Sequence, residues 1–512
     1  MFPQAWLAPF KALGLSDMAA KVAVFIVAHA ILYPVYLLWA HLRGPPKLDL
    51  PVVGDPNAPD FREAMEEGAR KYPNTPYLLP SPTGRLVILP PTLIDELRLL
   101  PETVISSKEH HYRHFLGRWT SMGTPAPELH SALTLDLQRG VQKVLESAQA
   151  EVRYAFAKRL PDCKGWTPVP LFPTFLGISA LLIERTWVGL PLSREDAWIK
   201  STTTYMTDVA NAAKAIRAWP KSLRYFVAPL LAEVKSLKNN RSSVERMLTP
   251  LLREYLRETA SPTPDVKEKE AGGELFVWLA QRYKGHANAE RVARDELMAT
   301  FSSLYTVTAT FTQAMFDLAA RPEYLEPLRE ELSQVLVDDP ELINKTSLLK
   351  LKKMDSFIKE SQRMNPLGLT TMMRVVMDPN GLKLSTGHVI PPGETVAGPN
   401  HAINFSPEIY SNPREFEGFR FSKLRAIPGN ETKHQLISTS TDSINFGHGV
   451  GACPGRFFAS TEIKVMLSYL IQRYDVKLAA GQERPRNMYT GTVCLPDMGA
   501  SILFKKREDA PA

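Results

Sequence analysis

Cysteine is scarce in this chain. Only Cys163, Cys453 and Cys494 occur in 512 residues, an odd and sparse set that excludes a disulfide framework and suits a reducing compartment. No internal repeat is visible. The net charge of +7 is diffuse, without a basic run or an interleaved aromatic platform. That makes nucleic acid the weakest partner class and leaves an anionic membrane surface or an acidic protein. No glycine-rich dinucleotide loop follows a strand, so the chain carries no nicotinamide site of its own. What remains is a globular composition, 44% hydrophobic and 22% charged, with enough apolar material for a large core.

One long apolar run stands out. Val22 to Leu42 has the length to cross a bilayer core as a helix, with Tyr33, Tyr36 and Trp39 toward its end, where aromatic side chains favour the interface. A cleaved signal peptide is the competing reading. Against it, the run is too long and no small-residue cleavage site follows. His29 and Pro34 weaken the span, and Lys11 and Lys21 before it balance Arg43 and Lys47 after it, so charge does not fix the orientation. The proline-bearing stretch Arg43 to Gly54 reads as a stiff elbow. Residues 1–45 are therefore expected to form an anchor and elbow, and residues 46–512 the globular domain.

Within that domain, Asp60 to Lys71 reads helical, and a small hairpin is expected around Ser81 to Gly84. From Pro91 to about Met364 helical patterns dominate, interrupted by a polar, mobile connection from Ala260 to Gly273. Strands are expected at Arg374 to Val376, Leu382 to Leu384, His388 to Ile390 and Thr395 to Ala397, with a final strand pair formed by the segments around Val493 and Ala500 to Phe504. The fold class is mainly α with small antiparallel sheets.

The chemistry concentrates in Phe446-Gly-His-Gly449-Val-Gly-Ala-Cys453-Pro-Gly455. Glycines on both sides of Cys453 allow positive φ and close approach to a flat cofactor. The helix that opens at Arg456 points its positive end at the sulfur and favours the thiolate. A buried structural cysteine in a glycine-rich turn is the alternative. The spacing Phe-x-x-Gly-x-x-x-Cys-x-Gly resembles the heme-binding loop of the cytochrome P450 superfamily, and the resemblance extends over residues 45–508. It implies heme b as cofactor, Cys453 as the iron ligand, and Phe446, Gly449 and Gly455 as the frame of the loop. Glu360-Ser-Gln-Arg363 and the later Arg420 resemble the family's buried Glu/Arg/Arg triad, a scaffold without part in the chemistry. Glu254/Arg257 and Glu326/Arg329 share the spacing of Glu360/Arg363 and read as solvated helix pairs. Arg374 matches the family's propionate-binding arginine, suited by its planar fork. An edge-strand surface arginine is the alternative there. Where many members carry Arg or His two residues before the cysteine, this chain has Gly451, which removes one anchor.

The segment Asp295 to Asp317 resembles the P450 helix that crosses the distal face of the heme, and it is apolar nearly all round. Threonines at 306, 308, 310 and 312 are poor helix formers and call for a reason. By the resemblance Ser302 and Ser303 are the small pair that leaves room for dioxygen, and Thr306 is the hydroxyl that serves proton delivery. Packing is the alternative for Thr306. The acid that normally precedes it is replaced by Tyr305, a poor proton source. Leu369, Thr370, Thr371, Thr492 and Val493, with Ser302, occupy substrate-facing positions by the resemblance, and their apolar, uncharged character favours a greasy substrate. His448 reads as a structural loop residue, and Cys163 and Cys494 as packing.

The resemblance thus implies a membrane-anchored heme-thiolate monooxygenase. Its thiolate favours O–O cleavage, and its electrons come from a separate NADPH-cytochrome P450 reductase, with cytochrome b5 as a second donor. Arg456 and Lys464 are candidates for docking that partner. Single-pass insertion in the endoplasmic reticulum, with a cytosolic catalytic domain, follows from the resemblance alone. The details look most like fungal P450s of secondary metabolism and point to a terpenoid substrate. One rival keeps the heme without oxygen insertion, as an isomerase, dehydratase or cyclase. The other is a non-enzymatic membrane heme-binding protein.

Overall fold

The computed structural model describes residues 4–43, 48–81, 84–260, 273–283, 286–336 and 343–508. The chain divides into two compact units, Met1–Pro51 and Val52–Ala512. In the first, helices Gln4–Ala12 and Asp17–Arg43 pack through Leu7, Phe10, Ala20 and Val24, and Asp17 pairs with Lys11 and Lys21, each at 2.5 Å. Among the described residues no single helix is long and apolar enough to cross a membrane. Trp6–Ala12 and Asp17–Tyr33 pass together by length and composition as a pair bent by 119°. The apolar run Val22 to Leu42 lies within the single helix Asp17–Arg43, and the side chains of its last residues lie outside the described ones. The side chains of His29, Pro34, Tyr36 and Trp39 lie outside the described residues, as do elbow residues 44–47, hairpin-turn residues 82–83 and the connection 261–272.

Among its described residues the second unit carries twelve strands, β1 (Tyr77–Ser81), β2 (Gly84–Ile88), β3 (Ile105–Ser106), β4 (Thr167–Pro170), β5 (Thr371–Val376), β6 (Leu382–Lys383), β7 (Val389–Ile390), β8 (Thr395–Gly398), β9 (Tyr474–Lys477), β10 (Met488–Thr490), β11 (Val493–Leu495) and β12 (Ser501–Lys506). The largest sheet runs β1-β2-β8-β5-β3. Its β2–β8 pair is parallel, a departure from the all-antiparallel expectation. Such a pair needs a long crossover, and here some three hundred residues separate the two strands. The final strand pair is also corrected. β11 pairs with β10 in a hairpin, whereas β12 pairs with β4 and β9. β4 (Thr-Pro-Val-Pro) escaped the sequence reading because its prolines confine it to an edge.

Helices form the rest of the body. The central helix Ala289–Ala320 is capped by Asn288, whose side chain accepts from the Arg291 N–H. It packs against helices Leu171–Trp187, Ala232–Ala260 and Lys352–Met364. Helix Arg456–Arg473 packs on Val141–Arg159 and on the central helix. A separate small core, including Phe61, Met65, Tyr77, Ile88, Leu369 and Ala397, joins the largest sheet to helix Arg62–Lys71.

Candidate active site

The cysteine loop is held by the protein's own backbone. The Cys453 N–H donates to the Phe446 carbonyl at 2.8 Å, Ala452 N–H to the Gly449 carbonyl at 3.0 Å, and Val450 N–H to the Arg98 carbonyl at 2.8 Å. Gly449 has φ +72, and a Cβ there would run into the Arg98 carbonyl, so glycine is required twice over. Gly455 differs from expectation. Its φ is −82, and a Cβ would lie 3.9 Å from the Cys453 sulfur, in ordinary contact. The positive φ values thus fall before the cysteine, at Gly447 and Gly449, where the chain turns. His448 serves the loop through Thr439, 3.1 Å from its Nδ1.

Cys453 is solvent-accessible, yet burial pushes its thiol up, opposed by the backbone N–H groups of Gly455 and Arg456 and by the Arg456 guanidinium. A sulfur that water can touch but that protein largely desolvates faces an internal space, not the outer surface. The opening of helix Arg456–Arg473 works in the expected direction, toward the thiolate.

Arg374 on β5 is 3% exposed. Its Nη1 donates to the Leu97 carbonyl at 3.0 Å, while Nη2 is buried without a partner. A Cβ built on Gly451 would collide with that same Nη2. The missing side chain at 451 therefore leaves room for this guanidinium.

Glu360, Arg363 and Arg420 are 0%, 1% and 6% exposed. Glu360 accepts from Arg363 Nε and Nη2, both at 2.8 Å, from Arg420 Nε at 3.2 Å, and from the Glu417 N–H at 3.0 Å. Arg363 then grips the carbonyls of Asn404, Pro413 and Glu415, and Arg420 those of Ser411 and Glu415. Two arginines thus fold the 404–417 segment around one buried carboxylate. Of the two pairs with the same spacing, Glu254 and Arg257 are exposed as anticipated. Arg329 is not merely solvated, because it also binds the Ile471 and Tyr474 carbonyls and Asp475 at 2.7 Å.

On the central helix, Ser302 and Thr306 are accessible, although Leu304 and Val307 beside them are 1% and 2% exposed. They lie one turn apart and form a strip facing an internal space. Each hydroxyl along this stretch draws on the carbonyl four residues back: Ser302 on Met298, Ser303 on Ala299, Thr306 on Ser302, Thr308 on Leu304 and Thr310 on Thr306, at 2.7 to 2.9 Å. Tyr305 points elsewhere. Its hydroxyl donates to the Thr203 carbonyl at 3.3 Å, on helix Asp196–Arg217, because one residue turns the helix by about 100° away from the Thr306 face. It is a fastener between helices, not a group of the accessible strip.

Of the substrate-facing positions, Val493 is 45% exposed at the start of β11 and Thr371 is half-buried. Thr492 is held by its carbonyl, which accepts from the Leu369 N–H at 2.7 Å. Leu369 and Thr370 are corrected: at 0% and 3% exposure they have no surface to offer, because Leu369 is a member of the small core beneath the sheet.

These groups fit a heme. A deep but accessible thiol suits the iron, the unpaired Nη2 of Arg374 suits a propionate, and the loop and central helix leave surfaces bare in the protein's interior. Residues 194–504 match the sequence profile of the family described as Cytochrome P450. The chain belongs to that family. It is 44% identical to the cytochrome P450 monooxygenase gliF of Aspergillus fumigatus, over 93% of this chain and 96% of that one. It is 43% identical to ataF of Aspergillus terreus, over 88% and 90%, and 37% identical to ascG of Acremonium egyptiacum, over 96% and 97%. Both of the latter are also named cytochrome P450 monooxygenases. The protein is thus a heme-thiolate P450 monooxygenase with heme b, and the isomerase and non-enzymatic readings give way.

Two features of this P450 go beyond what was drawn from its sequence. Lys464, a candidate for partner docking, is 5% exposed and paired with Asp355 at 2.5 Å. Arg456 curls back on the Cys453 carbonyl at 2.7 Å and over the Phe457 ring. The second feature is a set of histidines at 110, 111 and 114 on helix Ser107–Phe115. Three histidines within five residues were the signal that could have found it.

Proposed function

We propose that this P450 hydroxylates or otherwise oxidises an apolar small molecule of the terpenoid type. In this reading it draws on dioxygen and electrons from a separate NADPH-cytochrome P450 reductase, with cytochrome b5 as an auxiliary donor. It works from the endoplasmic reticulum membrane through a single N-terminal pass, with the catalytic domain in the cytosol. The observation that carries the chemistry is the deep, accessible Cys453 in a backbone-fixed loop. Bound heme supplies the oxidising power, with a thiolate ligand that favours O–O cleavage.

The protein's own residues do the rest. Cys453 ligates iron, framed by Phe446, Gly449 and Gly455, and Arg374 holds a propionate through Nη2. Ser302 and Ser303 are small and leave the strip open. The Thr306 hydroxyl donates to the carbonyls of Ser302 and Ser303 at 2.9 and 3.0 Å, which leaves its oxygen lone pairs free to accept a proton donor from the open side. With Tyr305 committed to Thr203, protons reach the strip through water and Thr306. The triad of Glu360, Arg363 and Arg420 positions the segment before the loop. Val493, Thr371 and Thr492 border the substrate, and their uncharged character supports an apolar molecule. The terpenoid class rests on the likeness to fungal P450s of secondary metabolism.

The test has two parts. Cys453→Ser should abolish the thiolate-type spectrum of the reduced CO complex, and an unchanged spectrum would assign the iron to another ligand. The precursor that accumulates in a gene-deleted host should then gain label from oxygen-18 dioxygen in membranes with reductase. Product of unchanged mass formed without NADPH would sink the reading.

A further inference from the structure

His110 and His114 sit one turn apart on helix Ser107–Phe115, with rings stacked at 5.7 Å between centroids and 23° between planes. Among the described residues neither ring nitrogen pair has a hydrogen-bond partner, whereas His111 Nδ1 lies 2.7 Å from the Ser107 carbonyl oxygen. Burial, helped by the charges of His111 and His114, pushes His110 down to about 3. Burial, helped by Arg217 and His111, pushes His114 down to about 4. Both imidazoles are therefore neutral at physiological pH. His114 is nonetheless accessible, the same combination that marks Cys453 as bordering an internal space.

The aromatic contacts place His114 relative to the accessible strip on the central helix. Phe115 meets His114 edge-on at 4.7 Å and Phe301 edge-on at 5.1 Å. Phe301 is the central-helix residue just before Ser302, where the accessible strip begins. Tyr205 closes on Phe301 from helix Asp196–Arg217 at 6.4 Å. A stacked imidazole pair thus stands beside the open strip, linked to it by two phenylalanines.

We propose that His110 and His114 form a polar subsite for the substrate, hydrogen-bonding an uncharged hydroxyl or amide on an otherwise apolar molecule. The inference rests on the monooxygenase reading above. A neutral imidazole offers one donor and one acceptor, which suits a group that both gives and takes a hydrogen bond. A pure hydrocarbon would cover the ring nitrogens and leave them unpaired, at a cost. A cationic group would have to be stripped of water beside desolvated rings and beside the Arg217 guanidinium, whose Nη2 donates to the His114 carbonyl, which costs more.

The test uses probes that share a skeleton and differ by one hydroxyl, borneol against bornane and 2-naphthol against naphthalene, titrated by the heme spectral shift of the full-length holoprotein. The wild type should bind the hydroxylated members about 10-fold more tightly, the scale of one buried hydrogen bond. His110→Phe/His114→Phe should erase that preference while heme content and the thiolate-type CO spectrum stay unchanged. A preference that survives in the double variant, or is missing from the wild type, would overturn the proposal. So would loss of heme from the double variant, which would assign the pair to the cofactor. Should that variant not fold, His114→Leu alone carries the test, with a reduced preference expected and an unchanged one overturning. Failure of the monooxygenase reading is separately visible, as a wild-type CO complex without the thiolate signature.

Discussion

The guanidinium of Arg374 packs against Gly451 so closely that a side chain there would collide with Nη2. The glycine that breaks the family's usual pattern is thus the complement of an arginine that follows it. The bare backbone at 451 and the buried guanidinium at 374 are a single structural choice. Arg374 is buried and Nη2 unpaired, so any displacement leaves a cation desolvated without compensation.

Gly451→His therefore should not restore a missing anchor. It should displace Arg374 and weaken heme retention by about tenfold, the scale of one charge-assisted hydrogen bond. Heme content per polypeptide after gel filtration measures this. Tighter retention would mean that the two side chains can coexist.

Glu360→Gln should cost about 3–5 kcal/mol, because it leaves two buried arginines without their carboxylate. Little folded holoprotein is expected, read from the yield and thermal midpoint of purified protein. Glu254→Gln, at the exposed pair with the same spacing, should change stability by less than about 0.5 kcal/mol.

Tyr305→Phe should leave product formation close to wild type, because the hydroxyl it removes serves Thr203. Thr306→Val should lower product formed per NADPH consumed by about 100-fold, the scale of a lost proton-transfer group. A large loss in Tyr305→Phe would return that hydroxyl to the chemistry.

The stability contributed by two buried carboxyls should fall as pH rises from about 5 to 8. Burial raises Glu184 from 4.5 to about 7, against hydrogen bonds from Trp198, Thr300 and Thr202, and raises Glu462 from 4.5 to about 8. Each folded-state value lies above the unfolded one, so the native state holds the proton more tightly. The stabilisation is complete below about 4.5 and is lost as pH climbs through 7 and 8. For Glu184 alone the loss is about 3 kcal/mol. Glu462 has both carboxyl oxygens buried and unpartnered. Glu462→Met should therefore raise the thermal midpoint more at pH 8 than at pH 5, and an equal effect at both would refute the assignment.

Part of the site was legible because it depends on short spacings: the Phe446–Gly455 motif declares itself within ten residues, whereas the Glu360/Arg363 spacing recurs at two other pairs and Arg374 stood out only through the family resemblance. Helices with strong apolar faces follow from periodicity. What was not legible depends on rotation and on distant contacts. Tyr305 and Thr306 are neighbours in sequence, yet 100° of helical turn sends them to different partners. Leu369 and Val493 look alike as apolar loop residues, and only the assembled sheet puts one in a core and the other at a surface. Lys464 reads as a surface cation until Asp355, more than a hundred residues earlier, is brought against it. β12 could not be paired from sequence because its partners lie both near, at β9, and far, at β4.

The ladder of hydroxyls on the central helix has a mechanical consequence. From Met298 to Thr306 five carbonyls serve two donors at once, a backbone N–H and a side chain, and such sharing loosens the helical bond and favours bending. The rod that crosses the site is therefore most compliant at its midpoint. A bulky guest can be admitted there by flexing a few shared bonds, while the continuously buried stretch 307–319 stays clamped in the core.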